Sequence, residues 1–125
     1  MVKREFKIIC LLGVIVTLSV PLPISAATAK ENFDWYCLQC HGAEGGGDGI
    51  NSEVEELPVG PMALNKGKEM KKFSNDQIIK TLTHGGPANT LESLMPPWGN
   101  TFTAREIEEL MQHVRSLCKD EECPR

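Results

Sequence analysis

The stretch that most constrains this chain is WYCLQCHG, from Trp35 to Gly42, because it holds three chemically active side chains within five positions. Cys37 and Cys40 are two residues apart, and His41 directly follows the second cysteine. Three chemistries use a cluster of this kind: a structural zinc site, a dithiol redox pair, or covalent attachment of a haem. The surrounding sequence distinguishes among them.

Zinc and dithiol chemistry both fit the surrounding sequence poorly. A structural zinc site usually takes four ligands in two separated pairs. The other cysteine pair, Cys118 and Cys123, stands at the far end of the chain, and His84 and His113 are isolated. A dithiol redox pair stands at the N-terminus of a helix, usually in a strand-containing fold. Here the pair ends a helical pattern, and alternating strand patterns are missing.

Covalent haem attachment explains the spacing. Cys-x-x-Cys-His is the signature of c-type haem linkage. Two thiols one helical turn apart can form thioether bonds to the two vinyl groups of one porphyrin, and the next residue offers an imidazole to the iron. We therefore expect one covalently attached haem c, bound by Cys37 and Cys40, with His41 as an axial ligand of the iron.

The N-terminal segment has the layout of a secretory signal peptide. A basic segment precedes the almost wholly apolar run Ile8–Val20, and small residues follow it. These 13 apolar positions are short for a membrane span, which takes roughly 20 residues. We expect residues 1–27 to be cleaved after Ala27, with Ala29 as a second site, leaving one periplasmic domain at 28–125. An uncleaved N-terminal anchor is the alternative.

The predicted mature part is acidic and small. The whole chain has 13 basic and 17 acidic side chains, and residues 1–27 contain three and one of these, so a net charge of −6 remains. Such a protein is a poor nucleic-acid binder. A domain of 98 residues has a limited core, and a large buried cofactor would compensate for that.

Hydrophobic periodicity predicts an all-α domain. Phe33, Tyr36, Cys37 and Cys40 share one face of a helix from Lys30 to Cys40. Two further helices begin at predicted capping boxes, which pair Ser74 with Gln77 and Thr103 with Glu106.

Two long stretches lack a regular pattern, Asn51 to Gly67 and Thr90 to Thr101. Loops of this length are unusual in so small a domain. They make sense if they surround a cofactor.

These features resemble the small monohaem class I cytochromes c over nearly all of residues 28–125. CLQCHG with the following Gly-rich loop is similar to the haem-binding end of that family, and VGPMALNKG to its Gly-Pro-x-Leu segment. LMPPWG and the last predicted helix are similar to the segment with the distal methionine and to the C-terminal helix. Two positions depart from the family: Ala29 replaces a common glycine, and His113 a common tyrosine or phenylalanine.

The resemblance implies a one-electron carrier rather than an enzyme. Its partners would be membrane or periplasmic oxidoreductases, and no small-molecule substrate would bind the iron. Two alternatives stay open: a haem subunit of a larger oxidoreductase, and a five-coordinate haem protein with gas-binding or peroxidase chemistry. For the latter, the distal loop offers only Glu92 as an acid–base group.

Met95 is the expected second ligand of the iron. Its thioether would raise the reduction potential, and Pro96 biases Met95 away from helical conformation. Met62, which also stands in a loop beside a proline, is the runner-up. Ligation by a second histidine, His84 or His113, is a further alternative and would lower the potential.

Four other features carry weaker expectations. By resemblance, the Pro61 carbonyl would accept a proton from Nδ1 of His41, and Trp98 could cover the haem or bond a propionate. In an exported protein Cys118 and Cys123 would form a disulfide, with two free thiols, an intermolecular bridge or an axial thiolate as the alternatives. A basic cluster could steer a redox partner; it consists of Lys66, Lys68, Lys71 and Lys72.

Overall fold

A computed structural model describes residues 26–53 and 57–124 of the chain. These residues form five α-helices and two 3-10 turns and contain no strand, which confirms the all-α prediction. The predicted signal peptide lies almost wholly outside them and stays a prediction. The helices are α1 (Ala29–Tyr36), α2 (Leu38–His41), α3 (Gly67–Met70), α4 (Asn75–His84) and α5 (Ala104–Leu117), and the 3-10 turns are Ile50–Glu53 and Gly86–Asn89.

Each of the three longer helices begins at a capping box, in which two side chains bond the free backbone N–H groups of the first turn. The boxes that start at Ser74 and Thr103 are both formed, as predicted. A third box joins Thr28 to Glu31 at the start of α1. Sequence reasoning missed it, although the Thr-x-x-Glu pattern is present.

The helix predicted from Lys30 to Cys40 is interrupted at Cys37. This residue has φ −114° and ψ −33°, so it ends α1 and precedes α2. Its N–H still donates to the Phe33 carbonyl at 2.9 Å, and His41 N–H donates to the Cys37 carbonyl at 2.9 Å. Backbone hydrogen bonding therefore continues across the break, although Cys37 itself separates the two helices.

The core forms where α1 and α4 pack against α5. Phe33, Met70 and Leu110 are its most completely buried side chains. His113 of α5 occupies the place of the expected aromatic residue and meets the Phe33 ring edge-on, with 5.2 Å between ring centroids. The histidine thus preserves an aromatic contact at this helix crossing.

His113 should make the fold sensitive to acid. Burial lowers the pKa of His113; Asp34 on α1 opposes the shift and Lys30 adds to it. Because this pKa is lower in the folded state, the contribution of His113 to stability is fully present above the unfolded-state pKa of about 6.5. It is lost as the pH falls through the folded-state pKa. Between about pH 7 and about pH 5, we expect the free energy of unfolding to fall less in a His113→Phe variant than in the wild type.

Chemical unfolding of the haem-loaded protein at each pH measures this. His84→Gln, at the exposed end of α4, is the control for losing a histidine. Identical pH profiles for wild type and His113→Phe would contradict the prediction.

The C-terminal residues 118–123 form a clasp, a short loop closed by a Cys118–Cys123 disulfide and held against α3. Asp120 accepts a hydrogen bond from Gly67 N–H at 2.8 Å, and Glu122 pairs with Lys71 at 2.8 Å. A Cβ atom at Gly67 would overlap Asp120 and the backbone at Glu122. Only glycine allows the clasp to lie this close to α3.

Arg115 joins α5 to the connection between α3 and α4. Its guanidinium donates to the Met70 carbonyl at 2.9 Å, to the Phe73 carbonyl, and to Oδ1 of Asn75 at 2.9 Å. Two of these acceptors are backbone carbonyls, at the last residue of α3 and in the connection that follows it. Arg115 therefore holds the segment that presents Met70 and Phe73 to the interior.

Candidate functional site

The helices and loops surround one large cavity of about 1300 Å³. This exceeds the roughly 300–1,000 Å³ of common small-molecule sites. Its walls come from every helix and from both irregular stretches, and apolar side chains predominate; they include Phe33, Leu64, Met70, Ile78, Leu82, Leu91, Trp98 and Val114. The irregular stretches surround an interior space, as their length indicated.

Cys37, Cys40 and His41 all line this cavity. Both cysteines are free thiols; Cys37 is buried and Cys40 partly buried. The amide of Asn51 lies 3.7 Å from the Cys40 sulfur, where its N–H can donate weakly. Two thiols and an imidazole thus stand together on one wall of a largely apolar space.

The environment of Cys37 disfavours dithiol redox chemistry. Burial, with a smaller effect of Cys40, raises the pKa of the Cys37 thiol to about 11. Reactive redox cysteines have lowered pKa values and react as thiolates. Cys37 is a neutral thiol at ordinary pH, which suits a residue destined for a thioether rather than for thiol exchange.

His41 is oriented by a backbone carbonyl. Its Nδ1–H donates to the carbonyl oxygen of Met62 at 3.1 Å. Burial lowers the pKa of His41, and this hydrogen bond partly offsets the effect. The ring is therefore neutral, and Nε2 keeps its lone pair for a metal ion, the usual arrangement of a ligating histidine.

The expected partner of His41, the Pro61 carbonyl, is wrong by one residue. The Pro61 carbonyl faces Gly47 instead, where a Cβ atom would lie 2.5 Å from its oxygen. Of these two neighbouring carbonyls, only that of Met62 bonds the imidazole. The interaction was predicted correctly in kind but assigned to the wrong carbonyl.

Met95 lies on another part of the cavity wall, in the connection between α4 and α5. Its carbonyl accepts a hydrogen bond from Gly86 N–H at 3.0 Å. Three residues later, Trp98 N–H donates to the Leu82 carbonyl at 2.9 Å. The backbone of Met95 is thus bonded to the 3-10 turn that follows α4, the chain just after it is bonded to the last turn of α4, and the side chain is partly buried against the core.

The alternative ligands occupy different positions. Met62 also lines the cavity. His84 is exposed at the end of α4 and His113 packs on Phe33; neither contributes to the cavity wall. The sulfur atoms of Cys118 and Cys123 are joined in the disulfide, which excludes a thiolate ligand from this pair.

Trp98 presents an unsatisfied donor beside the cavity. Its Nε1–H is buried and has no hydrogen-bond partner among the described residues. The indole packs on Tyr36 and Phe102, with ring centroids 5.4 and 6.0 Å away. A buried N–H without a partner is costly, so a ligand with an acceptor group here would relieve it.

A haem fits these residues. The cavity is large and apolar, two thiols and a neutral imidazole stand on one wall, and Trp98 offers a free donor to a polar substituent. These are the groups that a covalently attached porphyrin with carboxylate side chains requires.

Two of the four lysines in the predicted basic cluster form ion pairs. Lys71 pairs with Glu122 at 2.8 Å, and Lys72 pairs with Glu69 at 2.6 Å. Lys66 and Lys68 are exposed at the rim of the cavity and take part in none of the ion pairs formed by the described residues. The free positive charge therefore lies next to the cavity.

Comparisons with known proteins agree with this site. A family model described as cytochrome C oxidase, cbb3-type, subunit III matches residues 25–114. Among solved structures, the KustC0563 c-type cytochrome aligns with a TM-score of 0.57 at 21% identity, over 74% of this chain and 100% of that one. The TM-score supports a shared fold, and at this identity the likeness shows the fold alone. No curated protein sequence matches the chain.

The family match spans well over half of the chain and includes the Cys-x-x-Cys-His segment, Met95 and most of α5. No helix among the described residues has the length and apolar character to cross a membrane. The strand-free fold of these residues, its apolar cavity and the family match lead to one conclusion. The chain belongs to the cytochrome c family described as cytochrome C oxidase, cbb3-type, subunit III, and it is a small c-type cytochrome of class I fold.

Proposed function

We propose that this protein is an exported, monohaem c-type cytochrome that carries single electrons between redox protein partners and is not itself an enzyme. The observation that carries the proposal is that Cys37, Cys40, His41 and Met95 line the same cavity. Bound haem would supply one-electron oxidation and reduction at its iron. Cleavage of residues 1–27 and a periplasmic location belong to the same proposal.

The chain's own residues have distinct roles in this proposal. Cys37 and Cys40 bind the porphyrin through thioethers, and each thiol proton goes to the vinyl group that its sulfur joins. His41 would hold the iron through Nε2, because its Nδ1–H is engaged by the Met62 carbonyl. The apolar walls would keep water away from the bound metal and so limit the reorganisation that accompanies a change of charge.

The position of Met62 favours Met95 as the second axial ligand. Nδ1 and Nε2 lie on opposite sides of the imidazole ring, so a residue that contacts Nδ1 stands behind the histidine, away from the metal. Met62 makes that contact through its carbonyl. A ligand for the opposite face of the porphyrin must come from another wall, and Met95 is partly buried on one.

A second candidate function is that of a haem subunit in a larger oxidoreductase. The family description names a subunit of a cbb3-type oxidase, which supports this reading. The role of the iron would be the same, but the electron would pass within one stable assembly. Gel filtration of a native extract distinguishes the two, because a subunit elutes with its complex and a carrier elutes near 14 kDa or below, roughly its own mass.

Carbon monoxide tests the ligation of the iron. We expect the absorption spectrum of the reduced wild-type protein to stay unchanged under CO, because both axial positions are filled. Met95→Ala opens one position and should bind CO with a clear spectral shift. Met62→Leu, which keeps the backbone carbonyl and replaces the thioether by an aliphatic side chain, is the matched control and should behave as wild type.

Two results would overturn this assignment. CO binding by the wild type would indicate a five-coordinate iron with gas-binding or peroxidase chemistry. A spectral change in Met62→Leu but not in Met95→Ala would exchange the two methionines.

A further inference from the structure

We propose that Asn89 is a positioning residue for the second iron ligand, because its side chain ties the segment that carries Met95 to helix α4. This inference rests on the proposed role of Met95. It adds a residue that does not contact the cavity itself and that no sequence motif identified.

The tie consists of two short hydrogen bonds from one amide group. Nδ2 of Asn89 donates to the Gln77 carbonyl at 2.6 Å and to Oγ1 of Thr81 at 2.7 Å. An asparagine amide has two N–H donors, so both are used. Asn89 is the last residue of the second 3-10 turn, and both acceptors belong to α4.

The chain is also attached to α4 just beyond the far end of the segment, where the N–H groups of Trp98 and Gly99 donate to the carbonyls of Leu82 and Thr83 at 2.9 and 3.0 Å. Leu91 N–H and Gly86 N–H donate to the carbonyls of Gly86 and Met95, each at 3.0 Å, so these bonds connect the segment to itself. Within the described part of the chain, the two bonds of Asn89 are the only side-chain hydrogen bonds between residues 86–97 and α4. Asn89 therefore attaches the near part of this self-bonded unit to the helix, whereas the backbone of Trp98 and Gly99 attaches its far end.

The next residue indicates that the tie holds the chain against a local cost. Thr90 has φ 58° and ψ 26°, the left-handed region that β-branched residues rarely enter. It is the one non-glycine residue with positive φ in the described part of the chain. Opening of the segment would release this strained conformation, so Asn89 opposes opening and Thr90 favours it.

The rate at which Met95 leaves the iron measures both effects. In the ferric, haem-loaded protein, imidazole can bind only after the methionine has left, so its binding rate reaches a limit at saturating imidazole. We expect Asn89→Ala to raise that limiting rate by about tenfold, from the loss of two hydrogen bonds. Thr90→Asn should lower it, because asparagine tolerates the left-handed region.

Asn100→Ala is the matched control. Asn100 is an exposed asparagine of the same connection, and its side chain makes no hydrogen bond to the described residues. Its limiting rate should equal that of wild type. A merely structural role of Asn89 would lower the free energy of unfolding and leave the limiting rate unchanged, which would overturn the proposal.

Two further outcomes are decisive. If Asn89→Ala does not fold, Thr81→Val removes one acceptor with little change of shape and should raise the limiting rate by a smaller factor. Unchanged rates in both Thr81→Val and Thr90→Asn would overturn the role of Asn89. If wild-type binding shows no limiting rate and the reduced protein binds CO, the proposed role of Met95 fails instead.

Discussion

A Gly86→Ala variant is expected to lose Met95 from the iron and to bind carbon monoxide in the reduced state. A Cβ atom at residue 86 would overlap the Glu92 carbonyl oxygen and lie 3.3 Å from Cβ of Met95. Backbone cannot move aside as a flexible side chain can, so the whole segment must shift. Overpacking of this kind costs about 1–3 kcal/mol or more.

The overlap falls on the segment whose position sets the ligand. Gly86 N–H also donates to the Met95 carbonyl, so a shift at Gly86 moves Met95 directly. The reduced absorption spectrum with and without CO, together with the midpoint potential, measures the outcome. Loss of the thioether should lower the potential, because sulfur favours ferrous iron.

Gly60→Ala is the matched control. A Cβ atom there would meet nothing within 4 Å, and Gly60 lies on the rim of the same cavity. It should keep the wild-type spectrum and potential. If Gly86→Ala also keeps them, the tight packing between Gly86 and Glu92 does not determine the position of Met95.

An Arg115→Ala variant is expected to lower the free energy of unfolding by about 3 kcal/mol, since it removes three hydrogen bonds from a charged donor. It leaves the partly buried Met70 and Phe73 carbonyls without this partner. For a domain of about 100 residues the melting temperature should fall by about 15 °C. Thermal and chemical unfolding of the haem-loaded protein measure the effect.

The helix offers its own control. Arg105 is exposed on α5 and bonds only Glu109, one turn away. Arg105→Ala should change stability by no more than about 0.5 kcal/mol. Arg115→Lys keeps the charge but loses the branched donor group, so it should recover only part of the loss. Equal effects of Arg105→Ala and Arg115→Ala would contradict the structural role of Arg115.

Much of the fold could be read from local sequence signals. Capping boxes and helical periodicity act within one or two turns, so the starts of α4 and α5 were predicted at the correct residues. The Cys-x-x-Cys-His spacing likewise specifies its own chemistry. These signals depend on neighbours in sequence, which a reader of the sequence can see.

The remaining features depend on contacts between distant residues. Whether the carbonyl of Pro61 or of Met62 bonds His41 depends on how their loop packs against the histidine, which lies 21 residues from Met62. Helix α3 begins at Gly67, and the preceding Lys66 forms no side-chain cap, so no local signal indicated the helix. The bonds from Asn89 to α4 and from Arg115 to Met70 are likewise tertiary contacts, invisible to periodicity.

The two cysteine pairs differ in chemical fate but share a property of the chain. Cys37 and Cys40 remain thiols, whereas Cys118 and Cys123 are oxidised, five residues apart. Short loops close at the lowest entropic cost, so the C-terminal pair can join before the helices have assembled. Early closure would remove both C-terminal sulfurs from competition while the N-terminal thiols still await the porphyrin. Sequence distance thus keeps the C-terminal sulfurs from cross-linking with Cys37 and Cys40, ahead of tertiary structure.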